Sequence, residues 1–118
     1  MLPVKGEPLT VNLGLYNNEN SELAIDSITF DVDGETVHEA DLAAAGLGSV
    51  ASMSTGSYSF DYIYDGVGSM EMTAVVHATM NGVQKVYKSV LKLSYVTPEM
   101  VTKVIIDGTH YNDYVTGY

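Results

Sequence analysis

Leu9, Val11, Leu13 and Leu15 alternate with Thr10, Asn12, Gly14 and Tyr16 near the start of the chain. Successive side chains of a strand point to opposite faces, so this period of two predicts a strand with one buried face. It stops at Asn17-Asn18-Glu19-Asn20-Ser21, a turn-forming cluster. In the next strand Ile28, Phe30 and Val32 share a face and Asp31 and Asp33 lie opposite. Asp33-Gly34 then predicts a tight hairpin into Glu35-Thr36-Val37-His38, since that pair accepts the positive φ angles of a primed turn. By simple alternation His38 falls on a polar face.

Residues 42 to 57 are small and rich in Gly, Ser and Ala. They predict a connection crossing between sheets, with one helical turn over Leu42 to Ala45. Alternation returns with Tyr58, Phe60, Tyr62 and Tyr64 on one face of a strand. A longer strand follows, with Met70, Met72, Ala74, Val76, Ala78 and Met80 against Glu71, Thr73, Val75, His77 and Thr79. Asn81-Gly82 is the strongest hairpin signal in the chain, and its return strand is VQKVYKSVLKLSYV, whose lysines keep one side wet.

Strands at intervals of about ten residues, without a helix of ordinary length, predict an all-β fold: an immunoglobulin-like antiparallel β-sandwich of about seven strands. The domain is expected over residues 1–97. Pro98 cannot continue a central strand and suits the first position of a helical turn capped by Thr97. Residues 98–118 then read as a linker, an extra strand around Val104 to Asp107, and the truncated start of a following domain.

Composition sharpens this picture. The chain has 118 residues, enough for one domain with its own core, and its 46% hydrophobic content belongs to folded chains. Fifteen acidic residues against five lysines give a net charge of -10, which opposes binding to phosphate backbones, so no nucleic-acid partner is expected. No cysteine is present, which removes disulfides, thiolate metal sites and a Cys nucleophile. No apolar stretch reaches the roughly 20 residues of a membrane-spanning helix. An acidic, arginine-free domain suits a secreted or cell-surface bacterial protein, whose export signal is then expected outside these residues.

In order, GEPLTVNLGLYN, a turn, ITFDVDGETV, a small-residue link, YSFDYIYDGVG and a long hairpin resemble the bacterial immunoglobulin-like adhesion-related domains called CARDB. The resemblance covers about residues 6 to 96 and departs in its long final hairpin and in lacking Trp on the aromatic strand. It implies a spacer or interaction module of an exported multidomain protein, with no catalytic residues to carry over. The tail KVIIDGTHYND resembles, over barely fifteen residues, the first strand and loop of a glutamine-amidotransferase-like α/β domain.

Several residues are candidates for chemistry. Asp31, Asp33 and Glu35 at period two offer oxygens for calcium, but they lack the spacing of an EF-hand loop and read first as a solvated face. The Tyr58, Phe60, Tyr62 and Tyr64 row could stack sugars, but four aromatics at period two are what a sandwich core requires, so the row reads first as the inner face of a central strand. His38 and His77 have no sequence neighbours that complete a zinc site. Ser57 and Ser59 lack the context of a nucleophile elbow. Met53, Met70, Met72 and Met80 read as core filler. Asp107, His110, Asn112 and Asp113 place an acid, an imidazole and an amide after an apolar strand, where α/β sites assemble. They would form a site only with partners from a longer parent chain.

The sequence therefore predicts a non-catalytic module without cofactors, whose partners are neighbouring domains of the same polypeptide or other proteins. Two alternatives stand beside it: an accessory domain of a multidomain hydrolase, and a carbohydrate-binding module using exposed tyrosines.

Overall fold

Alternation in the first strand is realised residue by residue. In β1 (Pro8–Asn17), Leu9, Val11, Leu13, Leu15 and Asn17 are buried while Thr10, Asn12 and Tyr16 face outward. The computed structural model describes residues 8–63, 70–93, 99–106 and 114–116. These form β2 (Leu23–Val32), β3 (Glu35–Glu39), a single helical turn α1 (Leu42–Ala45), β4 (Ser49–Val50) and β5 (Ser54–Ile63). β6 (Met70–Met80), β7 (Val83–Leu93), β8 (Glu99–Ile106) and β9 (Tyr114–Thr116) follow.

The strands make an all-β sandwich of two sheets. One has the order β5-β1-β8, and the other β3-β2-β6-β7-β9 with β4 also paired to β2. The chain changes sheet between β1 and β2, and crosses back through α1 and β4 to β5, as the small-residue stretch predicts. Among the described residues nine strands are present, two more than expected because β4 and β9 have only two and three residues. Most pairings are antiparallel, but β1–β8 and β7–β9 are parallel.

The two hairpins have the turn chemistry their sequences dictate. Asp33 (φ 51°) and Gly34 (φ 84°) link Val32 to its partner Glu35, and Asn81 (φ 51°) and Gly82 (φ 78°) link Met80 to Val83. Two successive positive φ angles are the primed turn whose twist matches the strands it joins. The helical turn is capped as its sequence allows. The Asp41 carboxylate accepts from the Ala44 N–H at 3.1 Å, and Gly46 closes the other end in the left-handed region.

Between the sheets lies one core, whose largest buried side chains include Tyr87, Phe30, Leu13, Leu15, Ile28 and Met72. Fully burying an apolar side chain of this size contributes about 1.5–3 kcal/mol. β2 keeps both Ile25 and Ile28 on the core side despite their odd spacing, because the ladder to β6 shifts between Ile25 and Ser27 and leaves Asp26 bulged outward.

The tail departs from expectation in the part that is described. Residues 99 and 100 are extended, where the sequence predicts a helical turn after Pro98. β8 pairs with β1 from Thr10↔Glu99 to Asn17↔Ile106 and delivers Met100, Val104 and Ile106 to the same core. Residues 99–106 are thus a full edge strand of the three-stranded sheet. Its central polar position is matched rather than exposed: Thr102 is buried and its hydroxyl is hydrogen-bonded to that of Ser89 in β7 of the facing sheet.

Candidate functional site

β3 and β5 are the edges of their respective sheets, and they face each other along one side of the sandwich. The lip between them is lined by rings. Phe30 on β2 is fully buried at its base, with Phe60 at 4.6 Å between centroids and Tyr58 at 6.0 Å. The imidazole of His38 lies flat on Phe60, 3.9 Å away and 2° from parallel. Its Nε2 is 2.6 Å from the Tyr58 hydroxyl, a hydrogen bond that joins the two sheets.

His38 reaches this position through a bulge. Continuing the hairpin register from Val32↔Glu35 and Asp31↔Thr36 would set Val37 opposite Phe30. Instead the register shifts, His38 pairs with Phe30, and Val37 turns outward with 38% of its surface exposed. Residues directly opposite in a ladder share a face, so the extra residue moves His38 from the predicted polar side to the inside. Alternation alone could not reveal this. Glu35 and Thr36 follow the turn in phase, and nothing in ETVHE marks where the phase changes.

Burial governs the ionisation of the lip. Loss of water lowers the pKa of His38 below its ordinary value of 6.5. Burial also raises that of Tyr58; a hydrogen bond from the Asp41 backbone works against the rise and the Asp41 carboxylate adds to it. Both shifts favour the neutral pair. A neutral imidazole and phenol held together can exchange a hydrogen bond, and His38 Nε2 and the Tyr58 hydroxyl exchange it with each other.

The aromatic row predicted as inner face is half-buried. Tyr58, Phe60 and Tyr62 pack against the core without being fully enclosed, because β5 is an edge strand; Tyr64 lies outside the described residues. One face of Phe60 is covered by His38 and its flank by Phe30, so these rings are engaged with one another. Of the methionines read as core filler, Met72 and Met80 are buried, whereas Met53 is 66% exposed at a positive φ of 55° in the link before β5.

The remaining candidates are dispersed. Asp31 accepts a hydrogen bond from the Thr36 hydroxyl at 2.7 Å, Asp33 occupies the hairpin turn, and Glu35 is exposed at the start of β3. Among the described residues no group of three or more His, Cys, Asp or Glu is placed to hold a metal ion, so the calcium trio is not gathered. His77 is exposed on the outer face of β6, in a shallow depression shared with Asp26, Gln84 and Lys85. Ser57 and Ser59 point outward from β5, and the Ser59 hydroxyl donates to the Asn12 side chain at 2.6 Å. Asp107, His110, Asn112 and Asp113 lie outside the described residues. Among the described residues no helix is long and apolar enough to cross a membrane.

One polar residue that sequence reasoning treats only as part of a turn proves central. Asn17 is fully buried, and its side-chain amide donates to the carbonyls of Ser21, Val50 and Ala51 at 2.9, 3.1 and 3.2 Å. Its Oδ1 accepts from the Glu19 N–H at 3.0 Å. Its place at the inward phase of the alternation, after Leu15, is the signal that could have identified it. No protein-family model matches the chain, and comparison with curated proteins finds no match.

Proposed function

We propose that this chain is a non-catalytic, immunoglobulin-like spacer or interaction module, of the CARDB-like kind, within a larger secreted or cell-surface bacterial protein. The observation that carries this reading is the direction of two strands. β1 begins at one end of the sandwich, and β8, parallel to it, finishes beside Asn17 at the other. The core is thus traversed from pole to pole between its first strand and its last, which favours an extended linkage, and the short β9 then turns back along β7 in the facing sheet. The polar groups near the core agree with it. Asn17, Ser89, Thr102, His38 and Tyr58 are tied to other parts of the fold, and their chemistry is consumed in holding strands and loops together.

The direct test is a head-to-tail fusion of two copies, each with its own flanking residues, measured by small-angle X-ray scattering. The expected particle is elongated, with a maximum dimension close to double that of one copy. A compact particle with the copies side by side would overturn the spacer reading.

A further inference from the structure

We propose that the β1–β8 pairing is a shear clamp, through which the sandwich bears tension along its strand axis. The proposal deepens the spacer reading and rests on it for the direction of load. The strands are paired over eight positions in parallel register. A pull on the chain before Pro8 draws β1 toward one pole, and a pull on the chain after Ile106 draws β8 toward the other. The two strands are then displaced along one another. Ladder hydrogen bonds lie across the strands, so under this load they must yield together, whereas a crosswise load opens them one at a time. Forced unfolding is set by the unfolding barrier, which makes the loading direction decisive.

Three further features oppose the slip. β1 is the central strand of its sheet, so drawing it out shears the ladder to β5 as well as that to β8. Met100, Thr102, Val104 and Ile106 are each 2% exposed or less, and a slip of one residue would turn this whole row from the core to water. The buried hydroxyls of Thr102 and Ser89 also fasten β8 to the facing sheet, and the Asn18 N–H donates to the Ile106 carbonyl at 2.9 Å at the far end. β9 follows the clamp with three paired positions on β7 against the eight of β1 and β8, so attachment at Ile105 keeps it out of the load path.

The chain contains no cysteine, so two introduced thiols define the points of attachment in a single-molecule pulling experiment on the full chain. Pro8→Cys with Ile105→Cys loads the clamp lengthwise. Ser59→Cys with Val101→Cys lie in one row across β5, β1 and β8, both flanking Asn12, and load the same sheet crosswise. Lengthwise rupture is expected at clearly higher force than crosswise rupture at the same loading rate. Equal or lower lengthwise force overturns the clamp. Adding Thr102→Val to the lengthwise pair is expected to speed rupture at fixed force by about fivefold or more, the factor set by the lower end of the cost of a stranded buried hydroxyl. An unchanged rate overturns the part assigned to the Ser89 tie. A module that resists lengthwise load while the two-copy fusion folds back would refute the spacer reading and keep the clamp. The reverse pair of results would refute the clamp alone.

Discussion

The ring of His38 lies on the ring of Phe60 at 3.9 Å and within 2° of parallel, and the two residues belong to the edge strands of opposite sheets. This contact, with the His38–Tyr58 hydrogen bond, closes a side of the sandwich that has no further strand among the described residues to cover it. It also makes the closure sensitive to protons. Burial holds the pKa of His38 below its ordinary 6.5, so the unfolded chain binds this proton more readily than the folded one. Stability contributed by the neutral imidazole is therefore complete above the unfolded value and is lost as pH falls below it toward the lowered folded value. The expected result is a fall in the urea midpoint on acidification from about pH 7 to pH 5 that shrinks in His38→Phe, which keeps a flat ring over Phe60. A pH profile identical in the two proteins would remove His38 as its cause.

Asn17 gives a sharper contrast. Its NH2 group faces three carbonyl oxygens, so Asn17→Asp would set a carboxylate against acceptors in a buried site, with no donor to offer them. Asn17→Ala removes the donors and the acceptor and leaves their partners unsatisfied, at a cost of about 1–3 kcal/mol. The expected order in denaturant melts is wild type above Asn17→Ala above Asn17→Asp at neutral pH. Finding the Asp variant as stable as wild type would contradict the donor assignment.

The parts of this fold that were legible from the residues are those fixed locally. Asp33-Gly34 and Asn81-Gly82 announce their own hairpins because positive φ is a property of the residues in the turn. The inward row of β1 follows from alternation within ten residues. The parallel meeting of β1 and β8 joins positions such as Asn17 and Ile106, far apart in the chain, and no local pattern encodes which strand will lie beside an edge. Likewise the bulge at Val37 is settled by the tertiary environment. With His38 inside, its ring covers Phe60 and meets Tyr58, and these contacts decide a phase that the short β3 sequence leaves open. The lip is consequently half legible: alternation sets its aromatic row on the inner side, where it is half-buried, but sets its histidine on the opposite face.

Gly56 marks where the crossover presses on the sandwich. A Cβ there would come within 2.9 Å of Leu47 Cδ1 and 3.1 Å of Val50 Cγ2, two buried side chains of the link that follows α1. Their displacement would disturb the seal at that end of the core. Gly56→Ala is expected to destabilise by about 1–3 kcal/mol as an overpacking change, read as a lower urea midpoint with an unaltered slope. Gly48, where an added Cβ meets open space, is the control, and Gly48→Ala should stay much closer to wild type.

Thr102 and Ser89 test whether β8 belongs to the folded unit thermodynamically as well as by position. Each hydroxyl is buried and each has the other as its hydrogen-bond partner, one on β8 and one on β7 of the facing sheet. Thr102→Val keeps the shape but leaves the Ser89 hydroxyl buried beside a methyl group, an expected loss of about 1–3 kcal/mol. Replacing both residues by apolar ones, Ser89→Ala with Thr102→Val, removes the stranded group and should recover part of that loss, because two absent partners cost less than one. The double-mutant cycle therefore predicts a coupling energy of about 0.5–3 kcal/mol between strands that are in different sheets. Were β8 only loosely attached, Thr102→Val would be neutral and the cycle would close to zero.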